Sequence, residues 1–369
     1  MFPYSVNFKI ISEKTMKIKS YYEKREISSS DKCTEIVKTL PYYVSDFFIG
    51  IEPRTSALTR LNYAYDLRIF FLFLSEKVFR DKKPSQIELS DLDLLQPSDF
   101  EYFISYLNHY TINGKEERCT ETGKARKLSA LRAFYKYFYN KNLLKANTPT
   151  KILTPKIHEK EIIRLESNEK KDEIGDMLYV VENGDGLSKR QTAYHKLTKT
   201  RDTAIITLFL GTGIRISELV GLNINDFDFV TNSFVVTRKG GNRAVLYYND
   251  EVKKALSDYM ILRKDLSDAV ISEPALFLSL QNRRISTRQV QELVKKYAKI
   301  VSPLKKITPH KLRSTFGTNL YRQTGDIYVV ADCLGHKDVN TTKKHYAAIT
   351  EDVRKNAATH LSLSPEKNK

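Results

Sequence analysis

His310 and Arg313 are the residues whose types and spacing first suggest chemistry. They lie in the stretch Ile307-Thr-Pro-His-Lys-Leu-Arg-Ser-Thr-Phe-Gly-Thr318. Thr308 is a good N-cap and Pro309 suits a first turn, so the sequence predicts that a helix begins here. Because residues three apart share a helix face, the helix would place the His310 imidazole, which can transfer a proton, beside the bidentate guanidinium of Arg313. That pair suits a phosphate that gains charge during a reaction, although most such pairs are simply solvated.

The charge balance points to a nucleic-acid partner. The chain has 369 residues, with 61 Lys plus Arg against 44 Asp plus Glu, which gives a formal net charge of +17. A surplus spread along the whole chain is typical of a protein that binds a polyanion, and a lysine-rich composition without functional meaning is the alternative. The length allows two domains, each with its own core.

The cysteines and the apolar runs indicate a cellular location. Cys33, Cys119 and Cys333 are too few and too scattered for a disulfide framework or a zinc site, which fits a reducing cytoplasm. The sequence contains no run of about 20 apolar residues and no signal-peptide core near its start. We therefore expect a soluble cytoplasmic protein without a membrane partner.

Composition and helix signals divide the chain into four parts. We expect an irregular arm with a short helix near its end in residues 1–40 and a helical domain in residues 41–146. A proline-containing linker is expected in residues 147–164, followed by a second domain in residues 165–369. The fold class expected from these parts is mainly α with a small antiparallel β-sheet.

In the first domain, the spacing of apolar residues predicts helices, and no strand is expected. One helix is capped by Thr55 or Ser56 and buries a stripe of five residues, namely Leu58, Leu61, Tyr65, Ile69 and Leu72. Two more span 97–107 and 120–139, whereas 90–93 is predicted as a loop and cap. The helix over 120–139 is expected to bury a stripe of four residues, namely Leu128, Leu131, Tyr135 and Phe138. Three basic residues lie off this stripe and are candidates for DNA contact: Arg126, Arg132 and Lys136.

The second domain is predicted to mix helices with one hairpin. Helices are expected at 168–182, at 201–210 with Thr200 as its cap, and then at 214–220, 251–263, 287–300, 327–334 and 351–361. Arg215 lies beside the break Gly211-Thr-Gly213. Strands are expected at 227–230, 233–238 and 243–248, with Lys239 at the tip of the hairpin that joins the last two.

Five motifs in this domain resemble, in order and spacing, the five boxes of the tyrosine recombinases. They are Gly213-Ile-Arg-Ile-Ser-Glu-Leu-Val-Gly-Leu222, Thr237-Arg-Lys-Gly-Gly241, Thr308-Pro-His-Lys-Leu-Arg313, Leu334-Gly-His336 and His345-Tyr346. Within that family the chain is most similar to the Xer recombinases of the single-recombinase XerS type. The resemblance implies a helical, SAM-like core-binding domain and a catalytic domain that together form a C-shaped DNA clamp.

The resemblance also implies a role for each of six residues. Tyr346 would attack the scissile phosphate and become a 3′-phosphotyrosine, while Arg215 and Arg313 would hold the non-bridging oxygens. Lys239 would protonate the leaving 5′-oxygen. His310 would take the tyrosine proton, and His336 would position the phosphate. No metal, ATP or other cofactor would be needed, because the covalent phosphodiester conserves the bond energy. Glu218, one turn after Arg215, would either orient it through an ion pair or form a merely solvated pair.

Two departures from the Xer pattern concern the catalytic region. The residue after the second arginine is commonly His in Xer proteins and is Ser314 here. The nucleophile usually lies nine residues after the histidine of the Leu-Gly-His motif, where this chain has His345, so that Tyr346 comes one residue later. We assign the nucleophile to Tyr346 and interpret the nearby Tyr328 as helix core.

The resemblance implies a recombinase that acts as a homotetramer on two DNA sites with inverted half-sites. A Xer-type enzyme would resolve chromosome dimers at a dif-like site, with an FtsK-type translocase as activator. The alternative is the integrase or excisionase of a mobile element, because the same catalytic domain serves both roles. A non-catalytic DNA-binding regulator would have no use for the nucleophile. In the tail, Val353, Ala357 and Leu361 form an apolar stripe that is expected to dock on a neighbouring subunit or on its own domain.

Overall fold

The computed structural model describes residues 20–157, 163–168, 171–238, 241–264, 274–335 and 339. The chain divides into two compact units, Met1–Glu159 and Lys160–Lys369. Within the described ranges both units are mostly helical with small antiparallel sheets, whereas the sequence predicted a small sheet in the second domain only. Among these same residues, no helix is long and apolar enough to span a membrane.

The described part of the first unit consists of six α-helices and one hairpin. The helices are α1 (Tyr21–Val37), α2 (Val44–Ile51), α3 (Ala57–Phe73), α4 (Leu89–Leu94), α5 (Pro97–Tyr106) and α6 (Glu121–Tyr139). Strands β1 (Tyr110–Ile112) and β2 (Lys115–Glu117) pair antiparallel, although the sequence analysis expected no strand here. The turn between them is Asn113-Gly114, whose φ angles of 52° and 73° suit a two-residue hairpin turn.

Aromatic side chains fill the core of the first unit. Phe47, Phe70 and Phe134 are buried among other phenylalanines, and the hydroxyl of the buried Tyr43 donates to the Ile87 carbonyl at 3.1 Å. The stripe predicted for α6 is confirmed, since its four members are all buried: Leu128, Leu131, Tyr135 and Phe138. Burying each such side chain stabilises the fold by about 2 kcal/mol, which explains why the aromatic-rich segments determine this architecture.

Helix α1 corrects the prediction that residues 1–40 contain only an arm and a short helix. It starts after a capping box in which Ser20 and Glu23 bond each other's backbone N–H groups, and it runs for 17 residues. Cys33 and Ile36 join the core of the first unit. The prediction failed because the buried stripe of α1 is narrow and includes Ser29, so its apolar periodicity is weak.

Two further details of the first unit differ from the prediction. The segment 90–93 belongs to helix α4, which begins where the Glu88 N–H donates to the Asp91 carboxylate at 2.8 Å. Helix α3 does begin after the Ser56 cap, but Leu58 and Tyr65 of its predicted stripe are exposed. The inward face of α3 instead carries Leu67 and three phenylalanines, because nearly the whole second half of this helix is apolar.

The first half of the predicted linker packs on the first unit. Residues Thr148–Lys151 form a 3₁₀ turn in which Thr148 and Pro149 are buried. Arg132 of α6 fixes this segment by donating to the carbonyls of Pro149 and Ile152, at 3.1 and 2.6 Å. Pro149 therefore lies in a turn that packs on the first unit, within the stretch predicted as an interdomain linker.

The described part of the second unit contains seven α-helices and five strands. The helices are α7 (Glu173–Asn183), α8 (Lys189–Thr212), α9 (Ile216–Gly221), α10 (Asp250–Lys264), α11 (Thr287–Val301), α12 (Pro309–Thr324) and α13 (Ile327–Leu334). Strands β3 (Ser167–Asn168) and β4 (Lys171–Asp172) form a short hairpin, and β5 (Phe227–Asp228), β6 (Ser233–Thr237) and β7 (Arg243–Tyr247) form an antiparallel sheet in that order. Thr237 pairs with Arg243 at the last register position of β6 and β7.

Helix α8 is longer than predicted and begins before Thr200. Ser188 caps it through a reciprocal pair of hydrogen bonds with Gln191, at 3.0 and 3.4 Å. Thr200 therefore lies inside the helix, whose polar first half hid the periodicity that the prediction required. Helix α7 likewise starts at Glu173, five residues after the predicted start, because the β3–β4 hairpin precedes it. Both helices end as expected, at Gly184 and Gly213, which adopt left-handed conformations.

Hydrogen bonds join early residues of the second unit to helix α12 and to the segment just before it. The buried Leu165 N–H donates to the Thr315 hydroxyl of α12 at 3.0 Å, and Lys305 donates to the Arg164 carbonyl at 3.2 Å. The buried Glu173 carboxylate accepts from Lys305 at 2.7 Å and from Ser302 at 2.6 Å. Residues 164–173 are therefore joined to the segment that leads into α12.

Candidate active site

Arg215 is held at the N-terminus of α9 by a buried carboxylate. Gly213 ends α8 with φ +61°, and the chain turns there so that Arg215 becomes the N-cap of α9. The Arg215 N–H donates to Glu218 Oε2 at 3.0 Å, and its Nη1 donates to Oε1 of the same residue at 2.9 Å. Because Glu218 is only 3% exposed, this pair is the orienting ion pair and not the solvated pair that the sequence left open.

Arg284 fixes the other end of α9 and was not predicted from the sequence. Its Nη1 donates to the Val220 and Leu222 carbonyls at 2.9 Å each, and its Nη2 donates to the Asn223 side chain at 2.6 Å. A cation at the C-terminal carbonyls also stabilises the helix dipole. The short helix that positions Arg215 is thus fixed at both ends by charged side chains.

Arg313 reaches inward from the first turn of α12. The helix begins at Pro309 with Thr308 as N-cap, as predicted, although no capping hydrogen bond to the Thr308 side chain forms. Arg313 is 6% exposed and donates through Nη1 to the Gly213 carbonyl at 2.5 Å and through Nη2 to the Leu334 carbonyl. Its guanidinium therefore joins the C-terminal ends of α8 and α13.

The Leu334 carbonyl is the point at which the two arginines meet. It accepts from Arg313 and also from Arg215 Nη2, which lies 3.2 Å away and donates as well to the Gly335 carbonyl at 3.2 Å. These carbonyls end α13 and carry the partial negative charge of a helix C-terminus. Gly335 has φ +57°, a left-handed conformation that turns the chain immediately before His336.

Gly213 must be small because the α8–α9 turn packs closely on α12. A Cβ atom at Gly213 would collide with the Phe316 ring and would lie 3.0 Å from Leu334 Cδ2. Leu312 is fully buried, and Phe316 packs against Val330 and Leu334, so these two residues form the apolar face of α12. This packing brings the carbonyl of Gly213 within reach of Arg313.

Arg238 is a third guanidinium at the same turn, and no role was predicted for it from the sequence. It follows β6 and lies against Gly335, so that a Cβ atom added at Gly335 would collide with its guanidinium. The only sequence signal was its place next to Lys239 in the second recombinase box. Arg215, Arg238 and Arg313 thus all contact the Leu334–Gly335 turn.

His310 lies one turn before Arg313 on α12, and its side chain is exposed. The Ser314 hydroxyl donates to the His310 carbonyl at 3.1 Å, a local bond within the helix. The two residues predicted to act together therefore differ in burial, with the histidine at the surface and the arginine anchored inside. An exposed imidazole one turn from a buried guanidinium is compatible with taking a proton from a group that arrives from outside.

The other three predicted catalytic residues, Lys239, His336 and Tyr346, lie outside the described residues. The same holds for His345 and for the tail stripe Val353, Ala357 and Leu361. Tyr328, which the sequence analysis interpreted as helix core, is 70% exposed. It occupies the first turn of α13, whose inward face consists of Val330, Ala331 and Leu334.

The three tentative DNA-binding residues of α6 have different surroundings. Arg126 pairs with the buried Asp66 carboxylate, and Lys127 donates to the same group at 3.1 Å. Burial raises the pKa of Asp66, while Lys127 and Arg126 act in the opposite direction. Arg132 fixes the 148–152 segment as described above, and Lys136 is exposed. Two of these side chains therefore have structural partners.

The charges at the Leu334–Gly335 turn favour an anion. Three guanidiniums meet there, and Glu218 is the carboxylate that bonds one of them. Guanidinium groups match the oxygens of a phosphate in geometry and charge. Within the described ranges, no group of three or more His, Cys, Asp or Glu residues could hold a metal ion.

Comparisons with known proteins identify relatives of both units. Residues 184–352 match the phage integrase family, and 46–142 match the phage integrase N-terminal SAM-like domain. Tyrosine recombinase XerC of Caldanaerobacter subterraneus subsp. tengcongensis is 36% identical over 329 residues, which cover 87% of this chain and 86% of that protein. Tyrosine recombinase XerS of Streptococcus agalactiae is 32% identical over 357 residues, which cover 90% and 98%.

Two solved structures share the fold at low sequence identity. XerH site-specific recombinase bound to a palindromic difH substrate, in a post-cleavage complex, has a TM-score of 0.59 at 18% identity, covering 82% of this chain and 80% of that one. The Tn1549 transposon integrase in complex with a circular intermediate DNA has a TM-score of 0.59 at 20% identity, covering 90% and 99%.

Proposed function

The chain belongs to the phage integrase family of site-specific tyrosine recombinases, enzymes that cleave and rejoin DNA, and from this premise we propose a Xer-type cellular role. In this role the enzyme resolves chromosome dimers at a dif-like site. The observation that carries the proposed chemistry is the meeting of Arg215 and Arg313 at the Leu334 carbonyl. The Xer role is supported by the relatives named XerC and XerS, at 30–36% identity over most of the chain.

Arg215 and Arg313 bind the non-bridging oxygens of the scissile phosphate. A guanidinium has five N–H donors, so the same group can bond backbone carbonyls and a phosphate oxygen. The carbonyls of Gly213 and Leu334 and the Glu218 carboxylate orient the two groups before DNA arrives. Donors that are already in place stabilise charge as it develops, without reorganisation during the reaction.

The remaining steps are assigned to residues of the recombinase motifs. The Tyr346 oxygen attacks the phosphorus, a bond from this oxygen to phosphorus forms, and the bond from phosphorus to the 5′-oxygen breaks. His310 takes the phenol proton, Lys239 protonates the leaving 5′-oxygen, and His336 positions the phosphate. A phenol has a pKa near 10, so a base and nearby cations are needed to make it nucleophilic at neutral pH. Religation reverses these steps and needs neither ATP nor metal.

The active assembly is a homotetramer on two DNA sites, each with inverted half-sites. The net charge of +17 supports binding of a polyanion, and the SAM-like match in the first unit supports a second DNA-binding element. An FtsK-type translocase is the activator that the Xer role implies, and the cytoplasm is where such an enzyme would act. Arg126, Arg132 and Lys136 remain candidates for phosphate contacts, with Lys136 the best supported because its side chain is exposed.

The integrase or excisionase of a mobile element is the second candidate. The likeness to the Tn1549 transposon integrase supports the shared fold alone, because the identity is 20%. The named relatives above 30% identity favour the Xer role over this one. A non-catalytic regulator is disfavoured because the family motifs are present together.

Trapping covalent adducts tests both the chemistry and the role. The wild-type protein is expressed in its source organism, protein–DNA adducts are captured under denaturing conditions, and the attached DNA is sequenced. We expect adducts at one chromosomal locus with inverted half-sites. Tyr346→Phe should bind the same locus without forming adducts, because only the attacking hydroxyl is lost, and His345→Phe should still form them.

Two outcomes would contradict these assignments. Adducts that persist in Tyr346→Phe and map by mass spectrometry to another tyrosine would show that the nucleophile is wrong. Adducts confined to the ends of a mobile element would replace the Xer role with the integrase role, while leaving the chemistry intact.

A further inference from the structure

The backbone at Arg238 is fixed by the hairpin that carries it. The Arg238 N–H donates to the Asn242 carbonyl at 2.7 Å, and the Gly241 N–H donates to the Arg238 carbonyl at 3.1 Å. The first bond continues the β6–β7 ladder by one step beyond the pair Thr237–Arg243, and the second closes the turn after Arg238. Arg238 therefore projects from an ordered strand end, and its direction is set by the sheet.

The Arg238 guanidinium lies against the turn that holds the other two arginines. The atoms Cζ, Nη1 and Nη2 of Arg238 occupy the space where a Cβ atom of residue 335 would lie, so only glycine allows this approach. The Gly335 carbonyl bonds Arg215, and the preceding Leu334 carbonyl bonds both Arg215 and Arg313. One two-residue turn thus brings three guanidiniums together.

Within the described part of the chain, Arg238 forms no salt bridge, although the Asp332 carboxylate and Arg238 both act on the pKa of the Cys333 thiol. The Nε of Arg238 is buried and makes no hydrogen bond. Glu218, the carboxylate in contact with Arg215, already accepts two bonds from that residue. A buried charged donor without a partner costs free energy, and like charges at one turn repel one another. An anion at the turn would remove both costs.

We propose that Arg238 is a third guanidinium contact of the scissile phosphodiester, placed by the β6–β7 hairpin against the Leu334–Gly335 turn. The inference rests on the proposed function, because it assumes that the Arg215–Arg313 pair binds that phosphate. It gives Arg238 a direct role in binding the charged oxygens, separate from the role of the adjacent Lys239 in proton transfer. It also gives a reason for glycine at 335 beyond its positive φ.

A double-mutant cycle between Arg238 and the phosphate charge tests the contact directly. Half-site DNA from the trapped locus is made with either the normal phosphodiester or a neutral methylphosphonate at the scissile position. Binding of each DNA is measured for Tyr346→Phe alone and for Tyr346→Phe combined with Arg238→Gln, so that no cleavage interferes. We expect Arg238→Gln to weaken binding of the charged DNA about tenfold and to have little effect on the neutral DNA, because the interaction with the charge is already lost.

Arg243→Gln is the matched control, because Arg243 is an exposed arginine of the same hairpin, paired with Thr237. It should give equal losses on the two DNAs. In the catalytic background, Arg238→Gln should slow adduct formation on a suicide half-site by tenfold to a hundredfold, and Arg238→Lys should fall between it and the wild type. Thermal unfolding of each variant separates this effect from misfolding.

Equal losses on charged and neutral DNA for Arg238→Gln would overturn the proposal. A coupling that appears only when the methylphosphonate is moved to the neighbouring phosphate would also overturn it, since Arg238 would then contact a different group. Failure of the wild-type protein to form any covalent adduct would instead refute the proposed function. The two failures are thus distinguished by different measurements.

Discussion

Replacing Arg313 by lysine tests whether the site depends on guanidinium geometry or on charge alone. Arg313 joins the Gly213 and Leu334 carbonyls through two different nitrogens. A lysine keeps the positive charge, but it has one ammonium group and cannot reproduce this bridge. The variant therefore loses at least one charge-assisted hydrogen bond from a buried position.

The structural part of the loss is about 2 kcal/mol in the free energy of unfolding, because a hydrogen bond to a charged group contributes about 1.5–3 kcal/mol. The catalytic part is separate. If the same guanidinium stabilises charge on the phosphate, its loss should raise the barrier to cleavage by about 3 kcal/mol, or roughly a hundredfold in rate. Affinity for a half-site should change little, since most phosphate contacts remain.

The assay is single-turnover formation of covalent adduct on a suicide half-site, measured with unfolding by denaturant and with half-site affinity. Arg288→Lys is the control, because Arg288 is 78% exposed and pairs with Glu292 on the surface of α11. Such a pair contributes at most about 1 kcal/mol, so neither unfolding nor cleavage should change appreciably. If Arg313→Lys loses stability as expected but cleaves within a few-fold of wild type, Arg313 is only a structural brace and the phosphate contact is wrong.

Two further predictions concern acid stability and assembly. Burial alone would raise the pKa of Glu173, but hydrogen bonds lower it from 4.5 to about 2. The donors are Lys171, Lys305, Ser302 and the Glu166 backbone. This lowering of the pKa corresponds to about 3 kcal/mol in the free energy of unfolding. This contribution is present above pH 4.5 and is lost as the pH falls towards 2. Glu173→Gln should therefore lower the free energy of unfolding at pH 7 and reduce the further decrease of that free energy as the pH falls. Glu182→Gln, at an exposed position, should have neither effect. An unchanged acid slope in Glu173→Gln would contradict this assignment. Truncation after Thr350 keeps every proposed catalytic residue but removes Val353, Ala357 and Leu361, so we expect normal binding to a single half-site and poor assembly of tetramers. Normal assembly on a full site, measured by mass photometry, would show that the tail docks within its own subunit.

Local signals in the sequence predicted much of the fold. The Ser56 cap and the helix ends at Gly184 and Gly213 lie where the structure has them. These features depend on residues a few positions apart, which a single sequence displays directly. The helices α1 and the first half of α8 were missed because their polar composition leaves no clear apolar stripe.

The partners that complete the site could not be predicted in the same way. Arg284 bonds carbonyls 62 and 64 residues earlier, and Arg238 lies against Gly335. Such contacts arise from the packing of distant elements, and neither arginine differs locally from a surface residue. The family motifs identified Arg215 and Arg313, but they did not show that backbone carbonyls hold both guanidiniums.

The bond from the Leu165 amide to the Thr315 hydroxyl has a mechanical consequence. It joins groups 150 residues apart, and Lys305 holds the preceding Arg164 carbonyl at 3.2 Å. These bonds fix residues 164 and 165 to α12 and to the segment just before it. Since α12 carries His310 and Arg313, a displacement of this short stretch would also displace the helix that presents both of these residues.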